Sequence, residues 1–135
     1  EHEDIPAAML YTSDHGEDLY DTKDERFMHA SPIPTAMQVH VPMIVWLSPR
    51  YQSLHPEALG ILASHRDSIV SSSSSYFHTA LQLADITTPR IDTSLSLASP
   101  AYAPLRPMYV TDHNTAVPLK ELLQRYHEPL PAGLQ

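Results

Sequence analysis

The sequence predicts an α/β fold, in which short buried strands alternate with helices. Two observations carry this prediction. Residues 41–47 (Val-Pro-Met-Ile-Val-Trp-Leu) form an apolar run without polar alternation, which is typical of a strand covered on both faces in a parallel sheet. Apolar residues at helical spacing recur in three later segments, so helices are expected after the strands. Because only two or three strands are recognisable, we expect the sheet to continue in sequence outside this chain.

The N-terminal third is predicted to contain two strands joined by a long loop. Residues 7–13 are predicted to be a short buried strand that ends in a polar corner. Residues 16–40 carry few periodic signals and two prolines, so they are expected to be a loop. The second strand is 41–47, and Ser48-Pro49 is expected to end it.

Two helices are predicted in the middle of the chain. Residues 56–65 have a proline in the first turn and apolar residues after it, which predicts a helix. The serine tract 71–75 is expected to be a loop that ends in an N-cap, because 76–85 follows at helical period. Its apolar face is expected to hold Phe77, Leu81 and Ala84, and Thr88-Pro89 is expected to stop the helix.

The C-terminal third is predicted to be mostly irregular. Residues 91–107 are rich in Ser, Pro and Ala, and 108–110 is a short strand candidate. Apolar residues at i, i+3, i+4 and i+7 then predict a small amphipathic helix, and residues from 128 on are expected to be frayed. The apolar positions of that helix are Leu119, Leu122, Leu123 and Tyr126.

Length and composition limit the classes of protein that are possible. A chain of 135 residues with 42% hydrophobic content can fold as one domain at most. The net charge of -8 argues against a binder of nucleic acid. The absence of cysteine excludes disulfides and thiolate metal sites. No apolar stretch reaches the roughly 18 to 20 residues that span a membrane. Since the chain begins at Glu1, we expect it to be a piece of a longer protein.

The negative charge is concentrated at the N-terminus. Residues 1–26 hold nine carboxylates against two basic side chains, whereas the remaining residues are near neutral. This cluster overlaps the polar corner after the first strand, and it is consistent with cation binding. For Asp18 to Glu25, however, a solvated acidic loop is the expected arrangement.

The polar corner Asp14-His15-Gly16-Glu17 is the best candidate for a metal site. Asp14 offers a hard oxygen and His15 a borderline nitrogen, a mixture that suits zinc. Gly16 has no Cβ, so the backbone is expected to turn sharply beside a bound ion. Glu17 is expected to orient a ligand or the loop.

Other polar residues that are compatible with a site are expected to be structural. His40 precedes a strand, and His78 lies among apolar neighbours in a predicted helix, so hydrogen-bonded structural roles are expected. Asp112-His113 repeats the strand-then-Asp-His order, but Asn114 favours a turn there. Trp46 is expected in the core.

Three motifs, in order, resemble a known family. They are Thr-Ser-Asp-His-Gly-Glu at 12–17, Phe-Met-His-Ala-Ser-Pro at 27–32 and Gln-Val-His-Val-Pro-Met-Ile-Val-Trp-Leu-Ser at 38–48. Together they resemble the C-terminal part of the catalytic domain of the lipid A phosphoethanolamine transferases, in the sulfatase branch of the alkaline-phosphatase superfamily. The helix at 76–85 is similar to a late helix of such domains, and residues 90–135 match no motif.

The resemblance implies a fold and a mechanism. It implies that residues 1–135 are the C-terminal portion of a three-layer αβα domain with a mostly parallel sheet. It implies zinc bound by Asp14 and His15, with an upstream acidic ligand and a nucleophilic Thr outside this chain. His29 matches a histidine beside the transferred phosphate. The Thr would form a covalent phospho-Thr intermediate. The threonines of this chain that lack the required context are Thr12, Thr79 and Thr111.

The resemblance also implies partners and a location. Phosphoethanolamine would pass from a phospholipid donor to a lipid A or lipopolysaccharide acceptor, on the periplasmic face of a bacterial inner-membrane protein. Membrane attachment would lie in a region absent from this chain, and the oligomeric state stays open. Two alternatives remain: a sulfatase or phosphoglycerol transferase of the same superfamily, or a catalytically inert fragment. A sulfatase needs a modified Cys or Ser upstream, and the chain has no Cys.

Overall fold

A computed structural model describes residues 4–21, 25–29 and 33–134 and has mixed α/β architecture. The strands are β1 (Ala8–Thr12), β2 (Asp18–Leu19), β3 (Phe27–Met28), β4 (Met43–Leu47), β5 (Met108–Val110) and β6 (Ala116–Pro118). The helices are α1 (Ala36–Val39), α2 (Pro49–Leu54), α3 (Ala58–Ser64), α4 (Ser72–Leu83) and α5 (Leu119–Arg125), with a 3-10 turn at Thr93–Leu95. The α/β class expected from the sequence is confirmed.

The strands form three separate two-stranded sheets rather than one parallel sheet. The pairs are β1–β4, β2–β3 and β5–β6, and the last two are antiparallel. In the first pair the N–H of Ser48 donates to the carbonyl of Ala7 at 2.8 Å, so the end of β4 lies beside the start of β1. If β1 and β4 were parallel, the start of one strand would instead lie beside the start of the other. A mostly parallel sheet is therefore not found in the described part of the chain.

The chain divides into two compact units, and the first comprises Glu1–Tyr11 and Met43–Leu105. Its core is formed where β4, α2, α3 and α4 meet the segment after the 3-10 turn, and Val45 and Leu62 pack against it. The buried residues of this core are Leu47, Tyr51, Ala58, Leu83 and Ala98.

Ser48 begins a helix that the sequence reading missed. Its Oγ accepts from the N–H of Tyr51 at 3.1 Å, and Pro49 occupies the first helical position, where its missing N–H costs nothing. The same Oγ donates to the carbonyl of Ile5 at 2.9 Å and accepts from the N–H of Ala7 at 3.0 Å. Ser48 therefore ends β4, caps α2 and fastens the segment before β1.

Helix α4 includes the serine tract and buries a different face from the predicted one. Ser75, Thr79 and Leu83 are buried, whereas Phe77 is exposed. The reason is the neighbour that the helix meets: the Thr79 hydroxyl accepts from the N–H of Leu97 at 3.0 Å, so the contact surface is polar backbone as well as apolar side chain. The prediction that Phe77, Leu81 and Ala84 form the buried face of this helix was therefore wrong.

Strands β1 and β4 are covered on one face only. Val45 and Leu47 point into the core, while the alternate residues of both strands lie about half exposed. We call this surface the outer face; its residues are Met9, Tyr11, Ile44 and Trp46. The strand positions were predicted correctly. The prediction that both faces of the strand are buried, with Trp46 in the core, was wrong, since Trp46 is 51% exposed.

The second unit comprises Thr12–Pro42 and Arg106–Gln135. The β5–β6 hairpin turns at Asn114, which adopts φ 54°, as the sequence predicted for that segment. Helix α5 buries Leu119, Leu122 and Leu123, whereas Tyr126 ends the helix and is exposed.

The segment after α5 is tied down rather than frayed at its start. Glu128 Oε1 lies 2.9 Å from Arg26 Nη2, and both side chains are largely buried. Arg26 also donates to the carbonyl of Ile33 at 3.3 Å. The expectation of fraying from residue 128 was therefore wrong at Glu128.

Candidate metal centre

The polar corner after β1 is held by hydrogen bonds within a few residues. Ser13 Oγ donates to the carbonyl of His15 at 2.7 Å, and the N–H of His15 donates to Asp14 Oδ1 at 3.0 Å. This N–H, followed by the N–H of Asp14 itself and the neighbouring imidazole, holds the pKa of the Asp14 carboxyl below its ordinary value. Asp14 therefore presents an ionised carboxylate to solvent, with its side chain 86% exposed.

Three side chains that the sequence singled out converge next to this corner. His29 Nδ1 lies 2.7 Å from Glu17 Oε1, and His15 Nδ1 lies 3.7 Å from the same oxygen. The two imidazole rings are 3.8 Å apart between centroids, with 37° between their planes. One donor atom from each of the three residues falls within 4.8 Å of the others. The arrangement can chelate a cation.

Glu17 carries a further sign of an incomplete site. Its Oε2 is buried and has no hydrogen-bond partner among the described residues. Buried carboxylate oxygens are normally paired, so an unpaired one beside two imidazoles fits a missing positive ligand. Nitrogen and carboxylate oxygen are ligands that zinc takes, and three protein ligands leave a position for substrate. The donor set therefore fits zinc.

Asp14 lies on the other side of the His15 ring from Glu17. Asp14 Oδ2 is 3.6 Å from His15 Nε2, whereas Glu17 faces His15 Nδ1. The structure thus keeps Asp14 and His15 adjacent but groups His15 with Glu17 and His29. The pairing of Asp14 with His15 on one ion stays a prediction. Glu17, expected only to orient a ligand, lies where it can be one.

Gly16 is required for a reason other than a tight turn. Its N–H donates to the carbonyl of Gln38 at 2.8 Å, and a Cβ at Gly16 would lie 1.9 Å from the carbonyl oxygen of Met37. Gly16 is not among the residues with positive φ. The glycine therefore permits close approach of two backbone segments, and its role beside an ion stays a prediction.

A buried polar network beneath the corner escaped the sequence reading. Asp18, expected in a solvated loop, is 0% exposed, and its carboxyl accepts from Thr35 Oγ1 and from Gln38 Nε2, both at 2.7 Å. Thr35 and Gln38 have the spacing of a helix capping box, a signal that would have predicted the start of α1. Asp21 and Glu25 are exposed as expected, and residues 22–24 lie outside the described residues.

The remaining polar candidates are structural or solvent-facing. His78 Nδ1 accepts from the N–H of Asp92 at 3.0 Å, which matches the structural role expected for it. His40 ends α1 and is exposed. Asp112 and His113 lie at the exposed hairpin turn, where Asp112 Oδ1 is 3.8 Å from His113 Nε2.

Comparison with known proteins identifies the family. A profile of the sulfatase family matches residues 1–86, which include the corner and all three residues of the candidate centre. The chain belongs to the sulfatase family. This sulfatase-family chain is 32% identical over 95 residues to phosphoethanolamine transferase CptA of Salmonella typhimurium, across 70% of its own length and 16% of the relative. It is 26% identical over 95 residues to phosphoethanolamine transferase EptC of Escherichia coli. The predicted resemblance is confirmed, and the chain spans about one sixth of the curated relatives it matches.

Solved structures share the fold of this sulfatase-family chain. The C-terminal periplasmic domain of EcEptC from Escherichia coli matches with a TM-score of 0.65 and 25% identity, over 75% of this chain and 28% of that one. The same domain in complex with Zn matches with a TM-score of 0.73 and 24% identity, over 85% and 32%. Among the helices of the described residues, none is both long and apolar enough to cross a bilayer.

Proposed function

We propose that this chain supplies part of the metal centre of a phosphoethanolamine transferase. The reaction would move phosphoethanolamine from a phospholipid to a hydroxyl of a lipid A-type acceptor through a phospho-Thr intermediate, with the nucleophilic Thr outside this chain. The convergence of His15, Glu17 and His29, with one Glu17 oxygen unpaired, carries the proposal. The relatives CptA and EptC are phosphoethanolamine transferases, which supports the choice of group transferred.

Zinc is the ion that we assign to the centre. Asp14 and His15 would bind it, His15 through Nε2, because His15 Nδ1 lies 3.1 Å from the carbonyl of Gly16 and can donate to it. Glu17 would hold His29 in place. A bound zinc would polarise the phosphoryl oxygens and lower the pKa of a coordinated hydroxyl. The Zn complex of the EcEptC domain, which shares the fold, is consistent with this assignment.

His29 is proposed to handle a proton at the phosphoryl group. The Glu17 carboxylate accepts from Nδ1 of His29 at 2.7 Å, which fixes one proton on Nδ1 and leaves Nε2 free to face substrate. In its protonated form Nε2 can donate to a phosphoryl oxygen or to a leaving alkoxide. The His29 side chain is 44% exposed, so a substrate can reach it.

The same relatives support an inference about the rest of the domain and its location. We infer a catalytic domain on the periplasmic side of a bacterial inner membrane, since the matched structures are C-terminal periplasmic domains. We also infer that the mostly parallel sheet of a three-layer αβα domain lies in sequence beyond the matched third. The half-exposed outer face of β1 and β4 supports this inference, because parallel sheets are covered on both faces.

A sulfatase is the second candidate, because the family profile is that of sulfatases. The two chemistries differ in the nucleophile, which is a Thr for the transferase and a modified Cys or Ser for the sulfatase. Labelling of the parent protein by a phospholipid with a labelled headgroup discriminates between them. Label retained on a Thr supports the transferase, and sulfate ester hydrolysis without label supports the sulfatase.

Zinc titration by calorimetry tests the metal centre directly. The 135-residue chain is expected to bind one zinc, and Asp14→Ala and His15→Ala are expected to weaken binding by about tenfold or more each, because each removes a ligand. His113→Ala is the matched control, since His113 lies in the same unit at the exposed hairpin turn. Equal affinity in all four proteins, or no binding in any, contradicts the proposed centre and favours an inert fragment.

A further inference from the structure

Gln38 contacts the chain on both sides of the candidate centre. Its backbone carbonyl accepts from the N–H of Gly16 at 2.8 Å. Its side-chain Nε2 donates to Asp18 Oδ2 at 2.7 Å and to the carbonyl of Met28 at 3.3 Å. Gly16 and Asp18 are the two neighbours of Glu17, and Met28 precedes His29. One buried residue therefore links the segment of Glu17 to the segment of His29.

The side chain of Gln38 is held in place by its own helix. Thr35 caps α1 by accepting from the N–H of Gln38 at 3.2 Å, and the same hydroxyl donates to Asp18 Oδ1 at 2.7 Å. Asp18, Thr35 and Gln38 are all buried, and both carboxyl oxygens of Asp18 are paired. A buried polar network whose members are paired is rigid and specifies one arrangement.

The backbone at Met28 needs such support. Met28 adopts φ 67°, in the left-handed region that is costly for a residue with a side chain. Strained residues of this kind persist where the surrounding structure holds them, and the Gln38 amide holds the carbonyl of this one. The orientation of the chain entering His29 therefore depends on a hydrogen bond from α1.

We propose that Gln38 is a positioning residue that sets the spacing between Glu17 and His29. It fixes the 2.7 Å contact between Glu17 Oε1 and His29 Nδ1, and with it the gap between the His15 and His29 rings. Its importance for metal binding rests on the proposed function. The spacing itself is a property of the metal-free chain.

Nuclear Overhauser contacts between the ring protons of His15 and His29 test the spacing without metal. The rings are 3.8 Å apart, so the contact is expected in the unsubstituted 135-residue chain. It is expected to be lost in Gln38→Met, which keeps the side-chain length but removes the donor. Gln52→Met is the matched control: it removes a glutamine Nε2 bond to the carbonyl of Leu47, 2.9 Å long, in the other unit, and the ring contact should remain.

A second variant covers the case in which Gln38→Met fails to fold. The double variant Asp18→Leu/Gln38→Met replaces the buried pair by apolar side chains, so no carboxylate is left unpaired, and it also lacks the bond from Gln38 to the carbonyl of Met28. The ring contact should be lost here too, while the far-ultraviolet circular dichroism stays native. Loss of the ring contact in every variant that folds supports the proposal. A ring contact that persists in a folded variant, or is absent from the unsubstituted chain, overturns it.

Cobalt titration separates this inference from the proposed function. Cobalt(II) absorption should report binding about 10- to 100-fold weaker in the folded variants than in the unsubstituted chain. If the ring contact is lost in the variants but the unsubstituted chain binds no cobalt, the proposed function fails and the positioning role stands. If cobalt binds equally well after the ring contact is lost, the role of Gln38 in metal binding is overturned.

Discussion

At Gly16 a single hydrogen atom in place of a side chain decides how the corner packs. A Cβ there would lie 1.9 Å from the carbonyl oxygen of Met37, and that oxygen belongs to backbone that cannot rotate away. The same glycine donates its N–H to Gln38. The residue thus joins the metal corner to α1 through backbone contacts.

Gly16→Ala is expected to destabilise the chain by about 1 to 3 kcal/mol, the usual cost of forcing atoms into a packed site. Zinc affinity should fall as well, because the corner must move. Gly60→Ala is the control: a Cβ there meets nothing within 4 Å, and Gly60 lies inside α3. That change should stabilise by roughly 0.5 to 1 kcal/mol. Urea denaturation of both variants measures the two changes in the free energy of unfolding. If Gly16→Ala is no less stable than Gly60→Ala, the packing argument is contradicted.

Individual residues of the site were predictable where the chain carries them close together in sequence. His15 and Glu17 stand in one tetrapeptide, and His29 follows in a motif of its own. Asp18 was not predictable as a buried residue, because its partners Thr35 and Gln38 lie 17 and 20 residues further along. Nothing local distinguishes a solvated aspartate from one whose hydrogen-bond donors arrive through the fold.

At the scale of elements, α2 carries a buried phenol whose ionisation opposes folding. Tyr51 is buried, and its hydroxyl donates to the carbonyl of Leu83 at 2.9 Å. Burial raises the pKa of Tyr51 above its ordinary 10.0, and the negative charges of Asp85 and Glu57 raise it further. The folded chain therefore holds the Tyr51 proton more tightly than the unfolded chain does.

The stability of the first unit is consequently expected to fall at high pH. Since the folded pKa is raised, the contribution of Tyr51 is complete below 10.0 and is lost as the pH rises through the folded value. Urea midpoints measured from about pH 8 to about pH 11 should fall less steeply in Tyr51→Phe than in the unsubstituted chain. Burial also raises the pKa of Tyr102, so part of the slope should remain. An unchanged slope in Tyr51→Phe contradicts this assignment.

Elements were predictable from the sequence where one local pattern decides them. The spacing of leucines placed α5, and the apolar run placed β4. Helix α2 was missed because Ser48-Pro49 suits both the end of a strand and the start of a helix, and its cap bond to Tyr51 decides between them. The buried face of α4 was mispredicted because its neighbour presents a backbone N–H, at Leu97, to a threonine.

At the scale of the molecule, the outer face of β1 and β4 is an exposed apolar surface of the first unit. Met9 and Tyr11 lie on one strand and Ile44 and Trp46 on its neighbour, each about half exposed. Contiguous apolar surface of this kind promotes association. The isolated 135-residue chain is therefore expected to self-associate as its concentration rises.

Ile44→Lys tests this expectation by placing a charge in the middle of the outer face. Sedimentation velocity should show less association for Ile44→Lys at equal concentration, with little change in the urea midpoint. Leu59→Lys is the control, because Leu59 is similarly exposed but lies on α3. Equal association of the two variants would assign the effect to net charge rather than to the outer face.

The general architecture could be read from the sequence, but the sheet could not. Strands and helices alternate as the apolar runs indicated, and the α/β class followed. An apolar run such as Met43–Leu47 has the same composition whether one face or both are covered. Which arrangement exists depends on what packs against Ile44 and Trp46, and that information is not in the run itself.

The contact between Gly16 and α1 has a consequence for protein engineering. A designer who wished to transplant the Asp-His-Gly-Glu corner onto another scaffold would have to move residues 35–38 with it, because the corner backbone rests against Met37 and Gln38. The tetrapeptide transplanted by itself would lack the backbone contacts with Met37 and Gln38. The portable module is thus a pair of segments some twenty residues apart, and only scaffolds that can present both at once are candidates for hosting it.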